Sequence, residues 1–127
     1  MRYYMLNKPM DKICAVRDMR HSVVMECLPS DLREGIYPVG RLDKDTEGLL
    51  LLTDDGEFTN KVLSPSSNIS KTYRFFAKGE LTAEKIAYIE SPHTVLGGRE
   101  FCSSGAKVEI ISTLTMRDAK DLLIREN

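Results

Sequence analysis

An α+β fold with a mixed, mostly antiparallel sheet and short helices is the architecture that three features of this 127-residue chain predict. Short apolar segments rich in β-branched, aromatic and leucine residues recur between turn-forming residues. Stretches of helical spacing are interleaved with them rather than gathered in one block. No internal repeat or low-complexity tract is present, which removes solenoid and fibrous classes.

Each element has its local reason. Residues 2–6 form the opening strand, and residues 13–16 pair with it after a turn over residues 8–12. Ser22 caps a short helix carrying Val23, Val24, Cys27 and Leu28, which Pro29 terminates. Residues 36–39 lead into a polar loop. Leu49, Leu50, Leu51 and Leu52 are too few for a free helix, and between Gly48 and the Asp54-Asp55-Gly56 turn they suit a central strand buried on both faces. A helix over residues 57–63 stops at Ser64-Pro65, and residues 66–70 are a polar loop. Residues 72–77 read as a strand, Thr82 caps a helix reaching Glu90, and Phe101 and residues 107–111 supply further strands. Met116, Ala119, Leu122 and Leu123 follow helical spacing, so the tail is an amphipathic helix.

Composition bounds the function. The length fits one domain with a modest core. A net charge of −1 and a pI near 6.1 give no basic excess of the kind that phosphate contacts usually leave. The cations cluster instead: Lys8, Lys12, Arg17, Arg20, Arg41, Lys44, Lys71 and Arg74 fall in a few segments. Cys14, Cys27 and Cys102 are odd in number and widely spaced, which argues against a disulfide framework or a zinc site. His21 and His93 stand apart and read as surface or loop residues. No apolar run approaches the roughly 20 residues of a membrane span and no signal-peptide pattern opens the chain, so the cytoplasm is the expected compartment.

The segment from Val39 to Gly56 reads VGRLDKDTEGLLLLTDDG. The loop before the leucine run holds Arg41, Asp43, Lys44, Asp45 and Glu47, more charge than a connection needs, and it stands at the mouth of a rigid strand. A carboxylate beside a cation there invites a chemical role for Asp43. The bland alternative makes Asp43 a loop acid holding Arg41.

Read as a pattern, Gly-Arg-Leu-Asp-x-x-Thr-x-Gly-Leu-Leu-Leu-Leu-Thr-x-Asp-Gly resembles the catalytic motif of pseudouridine synthases, in particular the family that modifies ribosomal RNA and is named for the small-subunit enzyme. Tyr4-Met5-Leu6-Asn7-Lys8-Pro9 is similar to that family's opening strand and Asn-Lys-Pro turn. Ser70-Lys71-Thr72-Tyr73 is similar to its second motif, and Leu81-Thr82, Gly97-Gly98 and Ala106-Lys107-Val108-Glu109 match weaker features. The resemblance covers roughly residues 1–111, read as a partial catalytic domain, with residues 112–127 an atypical, helical tail. It departs in three places. Met10-Asp11 stands where the family generally carries a glycine. The expected strand and basic third motif after Ile111 are absent, and no N-terminal RNA-binding module precedes the first strand, so the chain reads as truncated.

The resemblance implies isomerisation of a uridine to its C-glycoside without cofactor or metal, on structured RNA, most naturally ribosomal RNA. Asp43 is then the catalytic carboxylate. The target nucleotide has to leave its stack, at a few kcal/mol, and Tyr73 is the aromatic ring that stacks on it. Arg41 fills the vacated stack or binds a flanking phosphate, and Lys71 and Lys8 are phosphate contacts. Two rival readings accompany this one. Residues 43–54 share part of the spacing of a calcium-binding EF-hand loop, but Asp54 replaces the closing glutamate and the leucine run leaves no exit helix. The other rival is a noncatalytic fragment or degenerate relative with at most weak RNA binding. Strands missing from the sheet would leave an exposed edge or face, to be covered either by the helix over residues 116–123 or by self-association into a homodimer.

Overall fold

The leucine run is the middle strand of a three-stranded antiparallel sheet. In this computed structural model, which describes residues 1–96, 99–102 and 105–126, β1 (Tyr3–Lys8), β2 (Tyr37–Pro38) and β3 (Gly48–Thr53) lie in the order β1-β3-β2. The register sets Tyr4 opposite Leu52 and Leu6 opposite Leu50, so those four side chains share one face. The leucines therefore alternate rather than being buried on both faces: Leu50 and Leu52 are buried, whereas Leu49 is 68% exposed. The reason is the antiparallel ladder, which needs an apolar layer on only one side.

Two compact units make up the chain, Met1–Ser70 and Lys71–Asn127. In the first, Val23, Val24, Met25 and Ile36 pack with Leu50 and Leu52 to form the core, and Ile13, Cys14, Ala15, Leu28 and Leu42 close its margin. Residues 13–16 do not pair with β1. Ile13 instead makes a parallel bridge to Val23, donating its N–H to Ser22 O at 3.0 Å and accepting from Val24 N–H at 3.0 Å, so its backbone groups are already taken. The helix expected after Ser22 is a single 3-10 turn over Val24–Cys27, ended before Pro29. Ser22 is not its cap. The Glu26 carboxylate turns back to accept from Val23 N–H at 3.3 Å, and Lys12 and Ser22 both bond to that carboxylate.

At the far end of the sheet, Arg2 grips Asp54 with its backbone N–H at 2.7 Å and its Nε at 3.0 Å. Beyond it, α1 (Gly56–Leu63) is capped by Asp55, which accepts from Phe58 N–H at 3.0 Å, and ends at Ser64 before Pro65. The predicted central strand and this helix are therefore in place.

In the second unit, α2 (Ala83–Glu90) starts at Thr82, whose hydroxyl accepts from Lys85 N–H at 3.4 Å, and β4 (His93–Leu96) pairs antiparallel with β5 (Arg99–Cys102). α3 (Met116–Glu126) is the tail helix, opened by Thr115, which accepts from Asp118 N–H at 3.1 Å. Residues 72–77 and 107–111 form no strand among the described residues. β-propensity reflects packing on a paired surface, and here Phe75 is 76% exposed, while Val108 N–H goes to the Glu90 carboxylate at 2.9 Å. Gly97-Gly98 lies outside the described residues. Both described sheets are purely antiparallel, and the one parallel element among the described residues is the Ile13–Val23 bridge. No helix among the described residues is long and apolar enough to cross a membrane.

Candidate active site

The loop between β2 and β3 is held chiefly by its backbone. Gly40, at φ +87°, turns the chain out of β2, just after Val39 N–H has bonded Leu51 O at 2.8 Å. Asp43 O then accepts from Thr46 N–H at 3.0 Å, which closes a turn over residues 43–46. Gly48, at φ +113°, leads into β3.

The segment after β1 supplies the supports. Lys8 is fully buried, and its ammonium donates to Pro9 O at 3.0 Å, Lys44 O at 3.0 Å and Thr46 O at 2.8 Å. Three protons on three carbonyls satisfy the group completely, which is how a cation is retained in the interior without a carboxylate partner. The expectation of a phosphate contact at Lys8 gives way to this: the ammonium faces inward and ties down the loop. Asp11 N–H adds a second donor to Lys44 O at 3.0 Å, and the Asp11 carboxylate lies 3.6 Å from Lys44 Nζ in an exposed pair. Asp11 has φ +63°, so the left-handed turn that glycine usually fills is made here by aspartate. On the other side of Asp43, Leu42 N–H bonds Cys14 Sγ at 3.2 Å.

The result is a carboxylate presented on a fixed platform. The Asp43 and Arg41 side chains are exposed and make no hydrogen bond or ion pair among the described residues. The bland reading, in which Asp43 merely holds Arg41, has no such pair to support it. Arg41, Asp43 and Lys8 belong to the first unit, and Lys71 and Tyr73 belong to the second. Tyr73 is 58% exposed.

The perturbed carboxylates lie away from this loop. Glu26 is pulled down to about 2 by its bonds to Lys12 first, then Ser22 and Val23 N–H. Asp54 is lowered by the Arg2 N–H and guanidinium, and Asp55 by Phe58 N–H and Tyr3. They fasten the turn at residues 22–26 and the β3–α1 junction, whereas the Asp43 side chain has no hydrogen-bond or ion-pair partner among the described residues. No group of three or more His, Cys, Asp or Glu side chains among the described residues is placed to hold a metal ion. The residues of the calcium alternative run straight from the loop into β3.

Sequence reasoning missed two supports. The signal for Asp11 was available in its position where a glycine is usual; for Cys14 there was none, because a cysteine in an apolar segment looks the same whether or not its sulfur accepts a backbone proton.

Comparison with known proteins gives a consistent answer. A ribosomal small subunit pseudouridine synthase A from Pseudomonas aeruginosa is 46% identical over 72 residues, 57% of this chain and 31% of its own length. An uncharacterized RNA pseudouridine synthase from Bacillus subtilis is 40% identical over 109 residues, covering 85% of this chain and 45% of its own. The ribosomal large subunit pseudouridine synthase B of the same organism is 38% identical over 110 residues, 87% of this chain and 44% of its own. The chain thus spans less than half the length of these relatives. A solved structure described as a pseudouridylate synthase superposes with a TM-score of 0.68 over 98% of this chain and 56% of that one, at 23% identity, which supports the fold. Residues 2–119 match the RNA pseudouridylate synthase family as a whole, and the chain belongs to that family.

Proposed function

We propose that this chain is the catalytic part of an RNA pseudouridine synthase that isomerises a uridine in ribosomal RNA, with Asp43 as the catalytic carboxylate. One observation carries the proposal: the exposed, unengaged Asp43 carboxylate stands on a loop whose backbone is fastened on both sides, by Cys14 before it and by Lys8 and Asp11 after it. That is the preorganisation a covalent or charge-stabilising carboxylate needs.

The reaction breaks the bond from the sugar carbon to N1, turns the base and joins the same carbon to C5; the C5 proton is expelled and N1 ends protonated. No electrons are gained or lost, so no redox partner is required. The carboxylate serves as nucleophile or as counter-charge to the sugar carbon once the base departs. Base extrusion costs a few kcal/mol, and stacking on Tyr73 recovers about 1–3 kcal/mol. Arg41, also unengaged, contributes its guanidinium to the vacated stack or to a flanking phosphate. Lys71 is assigned to phosphate. Lys8 acts by positioning the loop.

The test is release of tritium from ribosomal transcripts labelled at uridine C5, comparing the chain with Asp43→Asn. Release that disappears in the variant supports the proposal. A folded chain that releases no tritium from any ribosomal transcript, yet still binds RNA, refutes it in favour of a noncatalytic RNA-binding domain.

A further inference from the structure

Leu42 lies between Arg41 and Asp43, and its amide is the one backbone donor on the approach to the carboxylate that is tied to a side chain. That side chain is Cys14, a free, half-buried thiol packed against the Val23, Val24, Met25, Ile36, Leu50 and Leu52 core. Among the described residues the Leu42 N–H has no other partner. A part-buried amide without an acceptor is unfavourable, so losing the sulfur would push the loop to turn that N–H toward water. The following residues resist, because Lys44 O and Thr46 O are fixed to Lys8. Rotation is therefore concentrated at Leu42 and Asp43.

We propose that Cys14 is a positioning residue for Asp43, its sulfur serving as the fixed acceptor that sets the Leu42 amide and hence the direction in which the carboxylate leaves the loop. This rests on the reading of Asp43 as the catalytic group. The thiol touches neither substrate nor reacting atoms. Its effect falls on turnover, because a carboxylate displaced by about 1 Å forfeits on the order of 100-fold in rate, while the surfaces that bind RNA stay in place.

The test uses the whole chain with Cys14→Val, which keeps an apolar side chain against the core but removes the acceptor, and Cys14→Ser, which restores one. Tritium release gives kcat and KM, and amide hydrogen exchange reports on Leu42, with Leu51 and Leu52 as controls for the sheet. The expected result for Cys14→Val is a kcat lowered about tenfold to 100-fold, a KM within about twofold and faster exchange at Leu42 with Leu51 and Leu52 unchanged. Cys14→Ser recovers both kcat and Leu42 protection. The inference is overturned if Cys14→Val turns over normally, if Cys14→Ser is as slow as Cys14→Val, or if protection falls throughout β3, which would mark a purely structural thiol. If the unsubstituted chain is inactive, the catalytic reading of Asp43 falls and this inference with it. An active chain silenced by Asp43→Asn but indifferent to Cys14→Val refutes the inference alone.

Discussion

Replacing Lys8 with methionine removes the ammonium while keeping most of the buried stem. Of the three carbonyls it serves, Lys44 O retains the Asp11 N–H at 3.0 Å, whereas Pro9 O and Thr46 O lose their donor. Two carbonyls left unsatisfied in a part-buried site cost about 1–3 kcal/mol each. Relief from burying the ammonium offsets part of that. The expected loss is about 2–3 kcal/mol, a large share of the stability of a domain this size. With a urea dependence of about 2 kcal/mol per molar, the midpoint followed by circular dichroism falls by about 1 M. Hydrogen exchange at the Thr46 amide, which depends on the same turn, accelerates. A midpoint within about 0.3 M of the unsubstituted chain, with Thr46 protection intact, would show that the three contacts do not hold the loop. A surface control, Lys61→Met, is expected to change stability by less than about 0.5 kcal/mol.

Three further outcomes follow from the same structure. Because Glu26 titrates near 2 in the folded chain against 4.5 ordinarily, its contribution is present above about pH 4.5 and is lost as the pH falls toward 2; Glu26→Gln should flatten the acid limb of a thermal-unfolding series measured from pH 7 to 3, and an unchanged limb would remove Glu26 from the account. Gly40→Ala places a methyl 2.9 Å from Leu63 Cδ2 at φ +87°, so a loss of about 1–3 kcal/mol is expected in urea unfolding. β1 is an edge of its sheet, and a homodimer through that edge predicts a concentration-dependent sedimentation coefficient that Met5→Lys abolishes; a single monomer species over the micromolar range would rule it out.

What the sequence disclosed and what it concealed separate along a physical line. The leucine strand, the Asp54-Asp55-Gly56 turn into a helix and the stop at Ser64-Pro65 were legible because each is decided within a few residues. Residues 72–77 were misread because a strand exists only through a partner, and propensity does not supply one. Residues 13–16 were assigned to the wrong neighbour for the same reason: Ile13 met the backbone at residues 22–24. At the site, Arg41 and Asp43 were legible as unusual charge in a loop, and Lys8 was noticed but assigned the wrong task. A lysine near a phosphate-binding motif and a lysine buried among carbonyls are identical on paper, and only burial distinguishes them.

That division also accounts for how the loop is built. The groups assigned to chemistry, Asp43 and Arg41, are left unengaged, so every constraint on them has to act through the backbone, and backbone constraints come from residues distant in sequence: Cys14 reaches Leu42 across 28 positions, and Lys8 reaches Lys44 and Thr46 across 36 and 38. Asp11 shows how strongly this geometry is required. A non-glycine residue at φ +63° carries local strain, yet its N–H shares Lys44 O with Lys8, and its carboxylate gains an exposed cation, an interaction worth at most about 1 kcal/mol. The aspartate is therefore held in that conformation chiefly by the loop it supports. If so, Asp11→Gly should leave Thr46 and Leu42 protected, because the backbone N–H and the turn survive, whereas Asp11→Val, which resists the left-handed region, should release the Lys44 carbonyl and lower turnover together with Leu42 protection.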